Sequence, residues 1–224
     1  MKKSLLLSLA LTFTLFATAQ GKFEEGKITM SQTLATDNAE MQAMLEQMMG
    51  GKTMETTCYI KGNKSRTEIN NPMSGDIITI SDADAKQMLL LMDNPMVGKK
   101  YTLTTISAEE QEKLKETVVV VEGTETRMIL GYECKQQLVT INQNGVKMEM
   151  ELFITDKIVP VMSQQTSMLG DKLKGFAMSM VMKMNQQGMA MTITTEVTKL
   201  DKQAVPDGKF SLAIPEGYSK IEGQ

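Results

Sequence analysis

Residues at every second position are mainly apolar in two segments that flank a polar turn at 185–188. The alternating positions are Met178, Met180, Met182 and Met184 before the turn, then Met189, Met191, Ile193, Thr195 and Val197 after it. A period of two on both sides of a turn predicts two antiparallel strands with one continuous face. Because methionine side chains are unbranched and adaptable, such a face suits an irregular core or a surface that accepts more than one partner.

Methionine takes core-facing positions in two further segments. In 146–154 apolar residues alternate with charged ones, which predicts a strand with one buried face. Those apolar residues are Val146, Met148, Met150, Leu152 and Ile154. In 37–49 the apolar residues follow helical spacing. They are Met41, Met44, Leu45, Met48 and Met49. Asp37 and Glu40 predict a capping box at the start of this helix, and Gly50 with Gly51 predicts its end.

The remaining segments indicate short strands with two further helices. A turn at Gly62 and Asn63 predicts a hairpin in which Tyr59 pairs with Arg66, while Cys58 lies on the core face. Helices are predicted over 107–116 and over 160–169. We therefore expect a mainly β, α+β fold: a curled antiparallel sheet, or half-open β-barrel, covered by about three helices.

The first 19 residues have the pattern of a secretory signal peptide. Lys2 and Lys3 precede an apolar run that ends in an Ala-x-Ala sequence, and the run is too short to span a bilayer. No cysteine lies near the predicted cut, and no second apolar run approaches the roughly 20 residues of a membrane span. We expect one monomeric domain over 20–224, periplasmic or secreted, without a lipid anchor.

Charge and composition argue against several functional classes. The chain has 24 basic and 27 acidic residues, so it lacks the basic footprint of a nucleic-acid-binding protein. It has no histidine, which removes the commonest general base and the usual zinc sites. Nucleophile-elbow, P-loop and dinucleotide-binding motifs are also absent from the sequence. We expect a protein that is not an enzyme and needs no cofactor.

Two cysteines, Cys58 and Cys134, remain after export. An oxidising compartment permits a disulfide between them. The alternative is that each is a small buried apolar residue. Both interpretations stay open, because a bridge requires close Cα atoms.

Two short motifs resemble an uncharacterised family of exported envelope proteins, known as a domain of unknown function. One is the tail Val205-Pro206-Asp207-Gly208-Lys209-Phe210 through Ile214-Pro215-Glu216-Gly217-Tyr218, and the other is Ile129-Leu130-Gly131-Tyr132-Glu133-Cys134. The family is similar in outline to the outer-membrane lipoprotein carriers LolA and LolB. The resemblance implies a half-open antiparallel barrel whose concave apolar face, covered by helices, holds acyl chains.

We therefore expect a methionine-lined concavity that binds a lipid, an acylated protein such as an envelope lipoprotein, or another apolar ligand. The predicted lining consists of Met41, Met44, Leu45, Met48, Met148, Met150, Leu152, Met178, Met180, Met182, Met184, Met191 and Ile193. Arg66 is a candidate for gating or headgroup contact. The alternative is a surface arginine beside Glu68 and Tyr59.

Two other functions remain open at this point. Thioethers select Cu(I), and Met184 facing Met189 or Met191 would supply ligands from paired strands of an exported copper-binding protein. A structural envelope protein with a closed core is the other possibility, with methionine used only for packing. The lipid-binding and structural alternatives differ in whether the methionine-lined interior is full.

Overall fold

The computed structural model describes residues 21–71, 75–105, 107, 117–143, 146–160, 169, 172–186 and 189–221. The predicted signal peptide lies outside these residues. The predicted helices over 107–116 and 160–169 also lie outside them, apart from their end residues.

Twelve strands of the described residues form one sheet. They are β1 (Glu25–Thr36), β2 (Met54–Lys61), β3 (Lys64–Asn71), β4 (Gly75–Asp82), β5 (Gln87–Asn94), β6 (Gly98–Thr105), β7 (Val118–Ile129), β8 (Tyr132–Gln143), β9 (Val146–Thr155), β10 (Phe176–Gln186), β11 (Met189–Asp201) and β12 (Ser219–Lys220). Their spatial order is β12-β6-β5-β4-β3-β2-β1-β11-β10-β9-β8-β7. Neighbours are antiparallel except for β12, which runs parallel to β6.

The predicted half-open barrel under about three helices is wrong. The protein is nearly all β, its sheet is open with β12 and β7 at the two ends, and the described residues contain one α-helix, α1 (Ala39–Met48). The physical reason lies in the connectivity. The two ends of the sheet do not meet, because among the described residues β7 pairs only with β8 and the short β12 pairs only with β6.

The helix predicted over 37–49 is confirmed as α1, but its N-terminal cap is a different residue from the one predicted. Asn38, and not Asp37, is the N-cap, since its side chain accepts a hydrogen bond from the Met41 amide at 3.0 Å. Gly50 has a φ of 73°, the left-handed conformation that glycine provides at a helix end. No residue of α1 is fully buried, so the helix packs only lightly.

The predicted hairpins are confirmed, but one turn was missed. Tyr59 pairs with Arg66 as expected, and β10 pairs with β11 from Ser179 to Gln186. The chain also reverses at Leu130 and Gly131, whose φ values are 49° and 83°, and none of the predicted hairpins contains this turn. A bulky residue at positive φ is sterically disfavoured, so Leu130 gives no turn signal in the sequence.

A buried cluster of described residues lies where β10 and β11 part. Phe176 and Ala177 pair with β9 alone, whereas the end of β11 pairs with β1 alone. The cluster contains side chains from both sides of this parting: Phe23, Ile28, Cys58, Ile60, Tyr132, Cys134, Phe153, Ile158, Phe176, Met178 and Val197.

The structure decides between the two alternatives for the cysteines. Cys58 and Cys134 belong to the same buried cluster, but both are free thiols with 1% and 0% of their surface exposed. Burial raises the pKa of Cys58 to about 12 and that of Cys134 to about 11, because a thiolate loses its hydration there. Both thiols are therefore neutral and pack as small apolar side chains.

Candidate functional site

Strand register places most of the predicted cavity residues on one face of β9, β10 and β11, which we call the methionine face. Directly paired residues of antiparallel strands point to the same side of a sheet, so the register defines cross-strand rows. The first row is Met148, Met184 and Met191; the second is Met150, Met182 and Ile193; the third is Leu152, Met180 and Thr195. The structure thus brings together eight residues of the predicted lining.

Burial differs between these rows. Met150, Met180 and Met182 are buried, as is Leu152, so the second and third rows are packed in the middle of the sheet. The first row lies nearest the β10–β11 turn, and all three of its methionines are half-buried. The methionine face is therefore closed along its middle and partly open to solvent at the first row.

Other predicted lining residues lie elsewhere. Met178 belongs to the cluster at the β10–β11 parting, because a register shift between Ala177 and Ser179 interrupts the alternation. On α1, Met41 and Leu45 are half-buried. Met44 and Met48 remain 50% and 46% exposed, so the structure does not bury them against the sheet.

A glutamine attaches α1 to the end of β1. Gln42 accepts a hydrogen bond from the Thr36 amide at 3.0 Å and donates one to the Leu34 carbonyl at 3.2 Å. Leu34 extends the second row and Thr36 extends the first row onto β1. The helix is thus tied by one side chain beside the open end of the methionine face.

Polar atoms without hydrogen-bond partners lie on the side of the sheet that carries the methionine face. Within the described part of the chain, Thr195 Oγ1, Gln137 Oε1 and Thr56 Oγ1 are buried and unpaired. Gln137 pairs with Leu152 and therefore extends the third row, while Thr56 pairs with Met30 on the neighbouring strands. The sequence pattern did not identify these groups as part of a site. Thr195 and Gln137 could have been found, because each is a polar residue at a position where the alternation is otherwise apolar.

Arg66 lies on the opposite face of the sheet. It pairs with Tyr59 and is three positions from Ile69, which shares the face of Thr56. Its Nε donates to Glu68 Oε1 at 2.5 Å and its Nη1 donates to the Lys209 carbonyl at 3.4 Å. Burial alone would raise the pKa of Glu68, but hydrogen bonds from Arg66 and Lys209 outweigh it and lower that pKa. Arg66 therefore holds the tail on the face opposite the methionine face.

The tail motif forms a strap over this opposite face, which we call the C-terminal strap (residues 205–221). Lys209 Nζ lies 3.1 Å from Glu68 Oε1 and 4.2 Å from the centre of the Tyr59 ring. Val205 and Phe210 are buried. Farther along, Leu212 and Tyr218 pack on a small core of Ile80, Leu89 and Leu91. The motif residues thus have a structural role.

Two grooves lie away from the methionine rows. One, of about 520 Å³, is lined by Phe23, Leu130, Tyr132, Thr198, Lys199, Leu200 and Lys202. Its lysines are engaged, since Lys199 pairs with Asp201 at 2.8 Å and Lys202 donates to the Gly21 carbonyl at 3.4 Å. The other, of about 540 Å³, is lined by Met49, Gly50, Thr53, Met54, Glu55, Thr57, Glu68, Ile69, Asn70, Asp76 and Ile78.

The α-helix that the described residues contain is too short and too polar to cross a bilayer.

No curated protein matches the chain. A solved structure of PNGF-II is similar to it at 13% identity and a TM-score of 0.49, over 88% of this chain and 31% of PNGF-II. The chain thus spans about a third of that protein, and a likeness this distant does not bear on function. The comparisons give no support for similarity to LolA and LolB. The model of one family, described as "Domain of unknown function (DUF4412)", matches residues 24–218, and the chain belongs to that family.

Proposed function

We propose that the protein is a non-enzymatic, exported binding protein that holds a lipid or another amphipathic ligand against the methionine face. The observation that carries this proposal is the combination, on one face, of a half-buried thioether row with buried polar atoms that have no partner.

The thioether row provides an adaptable apolar contact surface. Met148, Met184 and Met191 are half-buried beside the packed second row. Their side chains can change rotamer without the constraint of a branch, so they can follow the contour of an acyl chain. An apolar surface with a few convergent polar groups is the usual composition of a small-molecule site.

The unpaired polar atoms favour an amphipathic ligand over a pure hydrocarbon. A buried polar group without a partner costs roughly 1–3 kcal/mol, and a hydrogen bond from a ligand or from a water it holds would recover that energy. Rows are separated by two residues along a strand, about 7 Å, so the third row with Thr195 lies roughly 14 Å from the first row. This separation suits a polar group at depth and an apolar tail toward the first row.

Helix α1 supports a route of entry. It has no fully buried residue and it is tied to β1 by Gln42, beside the open end of the methionine face. A helix with so little buried apolar area is at the low end of local stability, so it can open without unfolding the sheet.

The test is a titration of the purified protein with an environment-sensitive fluorescent fatty acid. The absence of tryptophan leaves the probe signal unobscured. We expect saturable binding by the wild type and at least tenfold weaker binding by the double variant Met184→Glu and Met191→Glu, since two charges would enter the apolar row. Met128→Glu is the matched control, because Met128 is 67% exposed and lies on β7.

The proposal fails if the wild type shows no saturable binding and an organic extract of the purified protein contains no lipid. Equal binding by the wild type and the double variant would also contradict it. Acylated proteins are the second ligand class to test.

A further inference from the structure

Three thioethers stand side by side on three neighbouring strands. Met184 on β10 pairs directly with Met191 on β11 and with Met148 on β9. The sequence alone indicated partners for Met184 only on the following strand, at Met189 or Met191. Met148 is the third member that the sheet order adds.

The spacing allows the three sulfur atoms to meet. Adjacent strands lie about 4.8 Å apart, so Met148 and Met191 are separated by roughly 10 Å across Met184. Each side chain has three rotatable bonds and is unbranched, which lets the outer two thioethers lean toward the central one. All three residues are half-buried, so solvent reaches the row from one side while the buried Met150 and Met182 lie beside it.

The ligand chemistry is specific. Thioether sulfur is a neutral, soft ligand that selects Cu(I) over harder divalent ions, which require carboxylate, carbonyl or imidazole groups. The charged neighbours Lys183 and Glu149 alternate with the row and therefore point to the other side of the sheet. Among the described residues no group of three or more His, Cys, Asp or Glu side chains is arranged to hold a metal ion.

We propose that Met148, Met184 and Met191 form a three-thioether binding site for Cu(I). The site uses the same three methionines as the proposed lipid contact, but it depends on their sulfur atoms and not on their apolar surface. Replacing the three methionines by leucine would preserve the apolar surface, because Leu and Met have similar volumes. It would also remove the three sulfur ligands.

The test is competition for Cu(I) between the purified protein and a chromophoric chelator under reducing conditions. We expect one Cu(I) per chain with an affinity better than micromolar. The triple variant Met148→Leu, Met184→Leu and Met191→Leu should bind at least 100-fold more weakly. The matched control replaces three other methionines of the same face, Met30, Met88 and Met92, by leucine and should keep the wild-type affinity.

Two further measurements separate this proposal from lipid binding and from misfolding. With one equivalent of Ag(I), a diamagnetic analogue of Cu(I), the methyl resonances of the three row methionines should shift in an NMR spectrum. The triple leucine variant should keep the circular dichroism spectrum and the urea unfolding midpoint of the wild type, which shows that it is folded. If that variant does not fold, the single variant Met184→Leu takes its place in the Cu(I) competition and should bind Cu(I) at least tenfold more weakly than the wild type. Affinity weaker than micromolar, or retained affinity in the folded leucine variant, overturns the proposal.

Discussion

Lys61 Nζ lies 2.6 Å from Asp207 Oδ1, although 146 residues separate the two in sequence. The same ammonium group lies 3.6 Å from Glu25 Oε1, and Glu25 accepts a hydrogen bond from the Val205 amide at 2.8 Å. One lysine thus connects β1, β2 and the C-terminal strap. The short polar part of the tail motif fixes the strap on the face opposite the methionine face.

We predict that the apolar residue of the strap, and not its exposed ion pair, provides the stability. Phe210 is buried, and truncation of a buried phenylalanine costs about 3–5 kcal/mol. Phe210→Ala should therefore lower the free energy of unfolding by about that amount in urea denaturation. Asp207→Asn should change it little, because the Asp207 side chain is 88% exposed. A Phe210→Ala loss below about 1 kcal/mol would contradict this account of the strap.

Stability should fall in alkali because of the buried thiols. Burial raises the folded-state pKa of Cys58 to about 12, whereas an unfolded thiol titrates near 8.5. Below that lower value both states are protonated and the stability is complete. Above it the unfolded state loses a proton that the folded state keeps, so each thiol should lower the free energy of unfolding by about 1.4 kcal/mol per pH unit.

The measurement is urea denaturation between pH 8 and 10.5. Cys58→Ala should reduce the slope of the unfolding free energy against pH by the contribution of one thiol. A slope identical to that of the wild type would show that Cys58 does not cause the alkaline loss of stability. A reductant should leave the wild-type midpoint unchanged, because Cys58 and Cys134 form no disulfide.

Helix α1 should open locally when its glutamine is removed. Gln42→Ala deletes the hydrogen bonds to the Thr36 amide and the Leu34 carbonyl. We expect faster amide exchange across α1 with little change in β10 or in the global unfolding midpoint. Asn38→Ala is a useful comparison, because loss of the N-cap should weaken α1 by about 1 kcal/mol while the side chain of Gln42 is unchanged. Unchanged exchange in Gln42→Ala would mean that other contacts hold the helix.

The β7–β8 turn should be improved by a single substitution. Leu130 adopts a φ of 49° and is 45% exposed, so its side chain provides little packing against an unfavourable conformation. Leu130→Asn should raise the free energy of unfolding by about 1 kcal/mol, since asparagine tolerates this region and leucine does not. Gly131→Ala should lower it, because φ is 83° there. If Leu130→Asn proves destabilising by more than about 1 kcal/mol, the Leu130 side chain carries more packing than its exposure suggests.

Local features of the fold could be predicted from sequence, whereas its overall shape could not. Alternation along Met178 to Met184 and the Gly62–Asn63 turn determine strand faces and hairpin registers, because both depend on residues close in the chain. The pairing of β1 with β11 joins distant segments, and no local pattern indicates it. The expected half-barrel failed at this level.

The candidate site was predictable to a similar extent. Periodicity identified the methionines of β9, β10 and β11, but it could not tell that Met148 would stand beside Met184. Periodicity wrongly placed Met178 on the same face as Met180 and Met182. The register shift between Ala177 and Ser179 that separates them cannot be seen in the apolar alternation of the sequence. Arg66 was uncertain because its partners Lys209 and Glu68 meet only when the tail crosses the sheet.

The central claim, ligand binding by the methionine face, is tested most directly by NMR of protein labelled at the methyl carbons of its 22 methionines. The purified protein would be titrated with a medium-chain fatty acid. The account predicts saturable shifts at Met148, Met184 and Met191, with no change at the exposed Met96 and Met128. Shifts confined to Met96 and Met128, or no saturable shift at any methionine, would contradict it.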